Sequence, residues 1–104
     1  MDVIDEFTIY NFNLEQIVSV ASRKGGSKAL SAMIKLYKEL KEFKLSNKQI
    51  VSIASNIGGS KNLIAVKNLF KELTKVNFSD KQIVSIASKD GGSKTLAAVM
   101  ELFK

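Results

Sequence analysis

The sequence repeats itself every 33 residues, and this period constrains the fold more than any other feature of the chain. Two strings recur at this interval, Gln-Ile-Val-Ser and Gly-Gly-Ser-Lys. The first begins at Gln16, Gln49 and Gln82, and the second begins at Gly25, Gly58 and Gly91. Residues 45–71 and 78–104 are identical at 19 of 27 aligned positions. A fixed period of this length is typical of architectures that stack one supersecondary unit on the next.

The period divides the chain into three units and a short leading segment. The units are residues 12–44, 45–77 and 78–104, and the last of them is truncated. Residues 1–11 also fit the period. Their apolar side chains Val3, Ile4, Phe7 and Tyr10 fall one period before Leu36, Tyr37, Leu40 and Phe43. We interpret residues 1–11 as a degenerate half-repeat that caps the apolar face of the first full unit.

Each unit is predicted to form two helices joined by a loop. The short first helices are expected at Leu14–Ser22, Asn47–Ser55 and Asp80–Ser88, and the second helices at about Ser27–Phe43, Ser60–Val76 and Ser93–Phe103. Apolar residues recur at intervals of three and four in both, as at Leu63, Val66 and Phe70. Ser46 and Ser79 are good N-caps, and Gly-Gly interrupts the helix. Because one pair cannot bury its own apolar stripe, we predict an all-α fold, an α-solenoid of 33-residue helix-loop-helix repeats.

Two positions vary within the otherwise constant loop. The pair before Gly-Gly is Arg23-Lys24, Asn56-Ile57 and Lys89-Asp90 in the three units, whereas the flanking Ser and Gly-Gly-Ser-Lys never change. A surface loop free to drift is one interpretation, since loops vary more than the elements they connect. Two observations favour a functional interpretation instead. The change is confined to two positions, and one of the residues there is an apolar Ile57 beside two glycines.

The constant part of the loop has the chemistry of a phosphate site. Glycines at the start of a helix present backbone N–H groups at the positive end of the helix dipole. A net charge of +6 favours a polyanionic partner. The residues expected to contact phosphate are Gly25, Gly26, Lys28, Gly58, Gly59, Lys61, Gly91, Gly92 and Lys94. The alternative is that the glycines only turn the chain and the lysines are merely solvated.

Residues 12–104 resemble the repeats of transcription activator-like effectors. The resemblance rests on Gln-Ile-Val-Ser-Ile-Ala-Ser-Asn-Ile-Gly-Gly at 49–59, on the repeat length and on the variable pair. The Ile- and Lys-rich background is more similar to the divergent members from bacteria and marine organisms than to the plant-pathogen effectors. The resemblance implies a right-handed superhelix that follows the major groove of double-stranded DNA, with one base contacted per repeat.

The resemblance also assigns roles within each variable pair. The first residue, Arg23, Asn56 or Lys89, would brace the loop, and the second, Lys24, Ile57 or Asp90, would contact one base. Asp90 can accept a hydrogen bond from cytosine N4, and Lys24 can donate to guanine. An Asn-Ile pair is associated with adenine in the family, so the expected preference is 5′-G-A-C-3′. Arg23 and Lys89 depart from the usual His or Asn, and Ser-Lys replaces the usual Lys-Gln.

Composition argues against other classes of function. The chain has no Cys and no His, and its carboxylates do not recur as a cluster, so we expect no enzyme, no metal and no cofactor. Gly-Gly-Ser-Lys lacks the spacing of a P-loop. A protein–protein scaffold, a non-specific DNA binder and an RNA reader remain alternatives, although no aromatic residue for base stacking lies near the loops. We expect a monomeric, intracellular, DNA-associated protein with no small-molecule substrate, signal peptide, membrane span or nuclear localisation signal.

Overall fold

The computed structural model describes residues 10–103, whose regular secondary structure is entirely helical. The six helices of this region are α1 (Leu14–Ala21), α2 (Gly26–Glu42), α3 (Asn47–Ala54), α4 (Gly59–Lys75), α5 (Asp80–Ala87) and α6 (Gly92–Leu102). The prediction of an all-α chain is confirmed for these residues. Each short helix ends one residue before its predicted end. Each long helix begins and ends one residue before its predicted limits.

A capping box starts every short helix. In α3 the side chain of Ser46 accepts a hydrogen bond from the Gln49 N–H at 3.1 Å, and the Gln49 side chain accepts one from the Ser46 N–H at 2.9 Å. The same pair of bonds starts α1 at Asn13 and α5 at Ser79. This reciprocal arrangement satisfies two backbone donors that a helix start would otherwise leave unpaired. It confirms the predicted N-caps and explains why Gln opens the recurring Gln-Ile-Val-Ser string.

The core lies between consecutive helix pairs as well as within each pair. Each long helix packs against the next long one, α2 on α4 and α4 on α6, and each short helix packs against the next short one. In the predicted apolar stripe, Leu63, Val66 and Leu73 are fully buried. Burial of such side chains contributes about 1.5–3 kcal/mol each. Neighbouring pairs therefore stabilise each other through their apolar faces.

Equivalent side chains meet at the two junctions between pairs. The Ser19 and Ser55 hydroxyls lie 3.1 Å apart at the first junction, and the Ser52 hydroxyl donates to that of Ser88 at 3.0 Å at the second. A stack of two aromatic rings also recurs after one period. Tyr10 stacks on Tyr37 and Phe43 stacks on Phe70, with ring centroids 4.1 and 4.4 Å apart. Val3, Ile4 and Phe7, assigned with Tyr10 to the leading half-repeat, lie outside the described residues.

The long helices of the first two pairs end in a left-handed residue. Lys44 and Asn77 have φ values of 65° and 74°, and Asn11 has a φ of 66° at the same position of the 33-residue period. A residue in this conformation directly after the C-cap is a common way to end a helix. Asn tolerates it better than most residues do, so Lys44 is the strained member of the set. The shared geometry turns the chain in the same way into α1, α3 and α5.

Candidate nucleic-acid interface

Each loop between a short and a long helix is a four-residue turn. The carbonyl oxygen of the first variable residue accepts a hydrogen bond from the N–H of the second glycine, at 2.9 Å in all three loops. The first glycine has a φ of 76°, 79° or 74° in the three units, whereas the residue before it has an ordinary negative φ. These features are those of a type II turn, which requires a positive φ at its third residue. The second variable residue therefore occupies the tip of every turn.

The two glycines are required for different reasons. At Gly58 a Cβ would meet no atom within 4 Å, so only the left-handed backbone demands glycine there. At Gly92 a Cβ would lie 2.7 Å from the carbonyl oxygen of Ala87. Gly26 and Gly59 make the same close approach to the carbonyl groups of Ala21 and Ala54. The second glycine thus lets the long helix start directly against the end of the short helix.

The three residues predicted to contact bases are exposed at the tips of their turns. Lys24 and Asp90 are solvent-exposed, and Ile57 keeps 55% of its surface accessible. Burial therefore does not account for an apolar residue at this place in the second loop. The tips therefore present a cationic, an apolar and an anionic side chain in chain order.

The bracing prediction has a structural counterpart in one of the three loops. The Asn56 side-chain amide donates to the carbonyl oxygen of Ser52 at 2.7 Å, which ties the loop back to the last turn of α3. The side chains of Arg23 and Lys89 are exposed and make no hydrogen bond or ion pair within residues 10–103. The Asn56 bond therefore has no counterpart at these two positions, and bracing by Arg23 and Lys89 stays a prediction.

The second and third loops lie side by side. The backbone N–H of Ile57, at the tip of the second loop, donates to the Asp90 carboxylate oxygen Oδ1 at 2.9 Å. The buried side chain of Asn62, near the start of α4, also reaches the third loop. Its Nδ2 donates to the carbonyl oxygen of Lys89 at 3.2 Å, and its Oδ1 accepts from the Ser93 N–H at 2.8 Å. The tips of the second and third loops are thus adjacent, and Asp90 accepts one hydrogen bond from the second loop.

The three lysines predicted to contact phosphate are exposed at one equivalent place. Lys28, Lys61 and Lys94 are each the third residue of a long helix, within the first turn after the loop. The N–H of the second glycine donates inside the turn to the carbonyl oxygen of the first variable residue. Phosphate binding by the three lysines stays a prediction, as does phosphate binding by Gly25, Gly58 and Gly91 and by the second glycines.

Sequence reasoning missed Asn62. Its position one period earlier is Ala29 and one period later is Thr95, so it did not appear among constant residues or in the variable pair. An amide at a place where another unit has a buried Ala is the signal that could have revealed it. The base contacts predicted for Lys24, Ile57 and Asp90 were assigned without Asn62.

No protein-family model matches the chain, and no curated protein matches it significantly. Within residues 10–103 no three His, Cys, Asp or Glu residues are grouped as metal ligands would be. The same region contains no helix that is both long enough and apolar enough to cross a bilayer.

Proposed function

We propose that this chain forms a right-handed α-solenoid that binds double-stranded DNA and reads one base with each loop. One observation carries the proposal. The tips of the second and third loops lie in contact, through the hydrogen bond from the Ile57 N–H to Asp90, and each tip exposes a different side chain. Equivalent serine contacts at both junctions support the same step between all three loops.

The chemistry of the tips favours base readout in the major groove. Asp90 uses Oδ1 on the neighbouring loop, and its Oδ2 has no hydrogen bond within the described residues. An oriented carboxylate oxygen can accept a hydrogen bond from cytosine N4. Lys24 can donate to guanine N7 and O6, and Ile57 offers only apolar contact. The proposed preference is therefore 5′-G-A-C-3′ for the three loops in chain order.

The lysines supply the part of the binding that does not depend on sequence. Lys28, Lys61 and Lys94 follow the turns at the same position and would contact successive phosphates of one strand. The uncompensated cations Arg23 and Lys89 lie beside the tips and add to the positive field. With a net charge of +6 the chain attracts DNA at low salt. Specificity in the proposal comes from the tips, and most of the affinity comes from the lysines.

The proposal is tested by selection from a pool of duplexes with three randomised base pairs, at low salt, with single-stranded DNA and RNA as competitors. We expect enrichment of G-A-C and weak competition by either single strand. Asp90→Ala should abolish the preference for cytosine, worth at most about 1–3 kcal/mol, and leave the preference at the first position unchanged. Asp80→Ala is the matched control, because it removes the same charge from an exposed residue at the start of α5.

Other outcomes of this selection separate the alternatives. Retention of DNA without enrichment at any position would indicate a non-specific binder. If the chain retains no DNA, the result would favour the alternative that it is a helical-repeat scaffold for protein–protein interaction. Loss of all three preferences in Asp90→Ala would contradict readout of one base per loop.

A further inference from the structure

Among residues 10–103, Asn62 is the one polar residue that is buried, with 1% of its surface accessible. A buried amide is costly unless both of its ends are hydrogen-bonded. Both ends of Asn62 are satisfied, and both partners belong to the next unit: the carbonyl oxygen of Lys89 and the N–H of Ser93. The orientation of the amide follows from these partners, because only Nδ2 can donate to a carbonyl and only Oδ1 can accept from an N–H.

These partners lie on either side of Asp90. Lys89 precedes it in the turn, and Ser93 lies in the first turn of α6, where helix N–H groups have no partner within the helix. Asp90 itself accepts from the Ile57 N–H on the second loop. The second unit therefore holds the third loop at three points, two of them through the single side chain of Asn62.

The first junction has neither link. Ala29 is the equivalent of Asn62, and although it is equally buried, with 2% of its surface accessible, it has no group to bond the second loop. Ile57 is the equivalent of Asp90, and its side chain has no oxygen with which to accept a bond from the first loop. The first and second units meet through the Ser19–Ser55 contact between their short helices, and no side-chain hydrogen bond among the described residues joins their loops.

We propose that Asn62 is a positioning residue for base selection, which fastens the second and third loops into one rigid reader of a two-base step. This inference rests on the proposed DNA-binding function. A base is selected sharply only when the group that reads it is held close to its productive geometry. Asn62 holds Asp90 close to this geometry by fixing the backbone on both sides of it. The first loop has no such link and reads its base independently.

The test uses two reciprocal variants of the whole chain. Asn62→Ala gives the second junction the residue of the first. Ala29→Asn places an amide where it can reach the carbonyl oxygen of Asn56 and the N–H of Ser60, which are the equivalents of Lys89 and Ser93. If Asn62→Ala folds poorly, Ala29→Asn still tests the idea as a gain of the link. Circular dichroism confirms helicity for each variant.

The first measurement needs no DNA. Amide hydrogen exchange by NMR should show the Ser93 N–H exchanging about tenfold faster in Asn62→Ala, as expected for one lost hydrogen bond. The Ser60 N–H should exchange more slowly in Ala29→Asn. Unchanged exchange at both amides would overturn the link itself, whatever the chain binds.

The second measurement is duplex selection. Asn62→Ala should weaken the preference at the third base by about threefold and leave total retention of duplex nearly unchanged, since with the hydrogen bond lost only about a third of the third loops would hold the binding-competent geometry. Ala29→Asn should sharpen the preference at the second base. Altered exchange with an unchanged third-base preference would overturn the positioning role. If the native chain retains no duplex, the DNA-binding function fails, and the exchange data still decide whether the link exists.

Discussion

The lysines that follow the loops give the most quantitative prediction. Replacing Lys28, Lys61 and Lys94 together with Ala removes one cation from the same position of each long helix and lowers the net charge from +6 to +3. All three side chains are exposed, so the substitutions remove no buried contact. We expect the helical fold to persist and binding to every duplex sequence to weaken.

The magnitude follows from the number of phosphate contacts. Each neutralised phosphate contributes about 0.9 to the slope of log affinity against log salt concentration, so three lost contacts should flatten the slope by about 2.7. Between about 50 mM and about 200 mM salt, the native chain should therefore lose about 40-fold more affinity than the variant does. Fluorescence anisotropy of a labelled duplex, titrated at several salt concentrations, measures both slopes.

A matched variant separates local contact from net charge. Replacing Lys38, Lys71 and Lys75 with Ala also gives a charge of +3 and also removes only exposed side chains. Lys38 and Lys71 each lie ten residues beyond the loop lysine of the same helix, which is about 15 Å along the helix axis. Their loss should change the slope much less. Equal slopes for the two triple variants would refute the argument that the loop lysines contact phosphate.

Two further predictions concern the loops and the helix ends. Gly58→Ala should lower the free energy of unfolding by about 1–2 kcal/mol, since only its backbone conformation resists a side chain. Gly59→Ala should cost more because its Cβ would overlap the Ala54 carbonyl; chemical denaturation ranks the two, and equal costs would contradict the steric distinction. Lys44→Asn should stabilise the fold by about 0.5–1 kcal/mol, because Asn tolerates the left-handed region. Lys48→Asn, a change of equal charge within α3, should not stabilise it in the same assay.

The helices and the form of the loops could be predicted because both follow from local sequence. Gln16 and its equivalents recur three residues after an N-cap, and paired glycines interrupt an otherwise helical pattern every 33 residues. The structure adds that each loop is a type II turn, which places Lys24, Ile57 and Asp90 at the exposed tips. DNA binding itself stays a proposal.

The contacts between units could not be predicted in the same way. Asn62 binds a loop 27 residues ahead of it, and Asp90 accepts a hydrogen bond from a loop 33 residues behind it. Both bonds depend on how far one helix pair is rotated against the next, which no local pattern records. The bond from Asn56 to Ser52 has no counterpart at Arg23 and Lys89 among the described residues, because the resemblance assigns the bracing role by position in the repeat and not by side-chain chemistry.

The recurrence of the Ser19–Ser55 contact as Ser52–Ser88 has an evolutionary consequence. A duplication in the gene that inserted another copy of residues 45–77 would create a junction at which the same pair of hydroxyls, Ser52 and the copy of Ser55, face each other. No new complementary surface would have to arise by mutation. A chain built in this way can grow or shrink by whole units, and selection can then act on the two variable positions of each new loop separately.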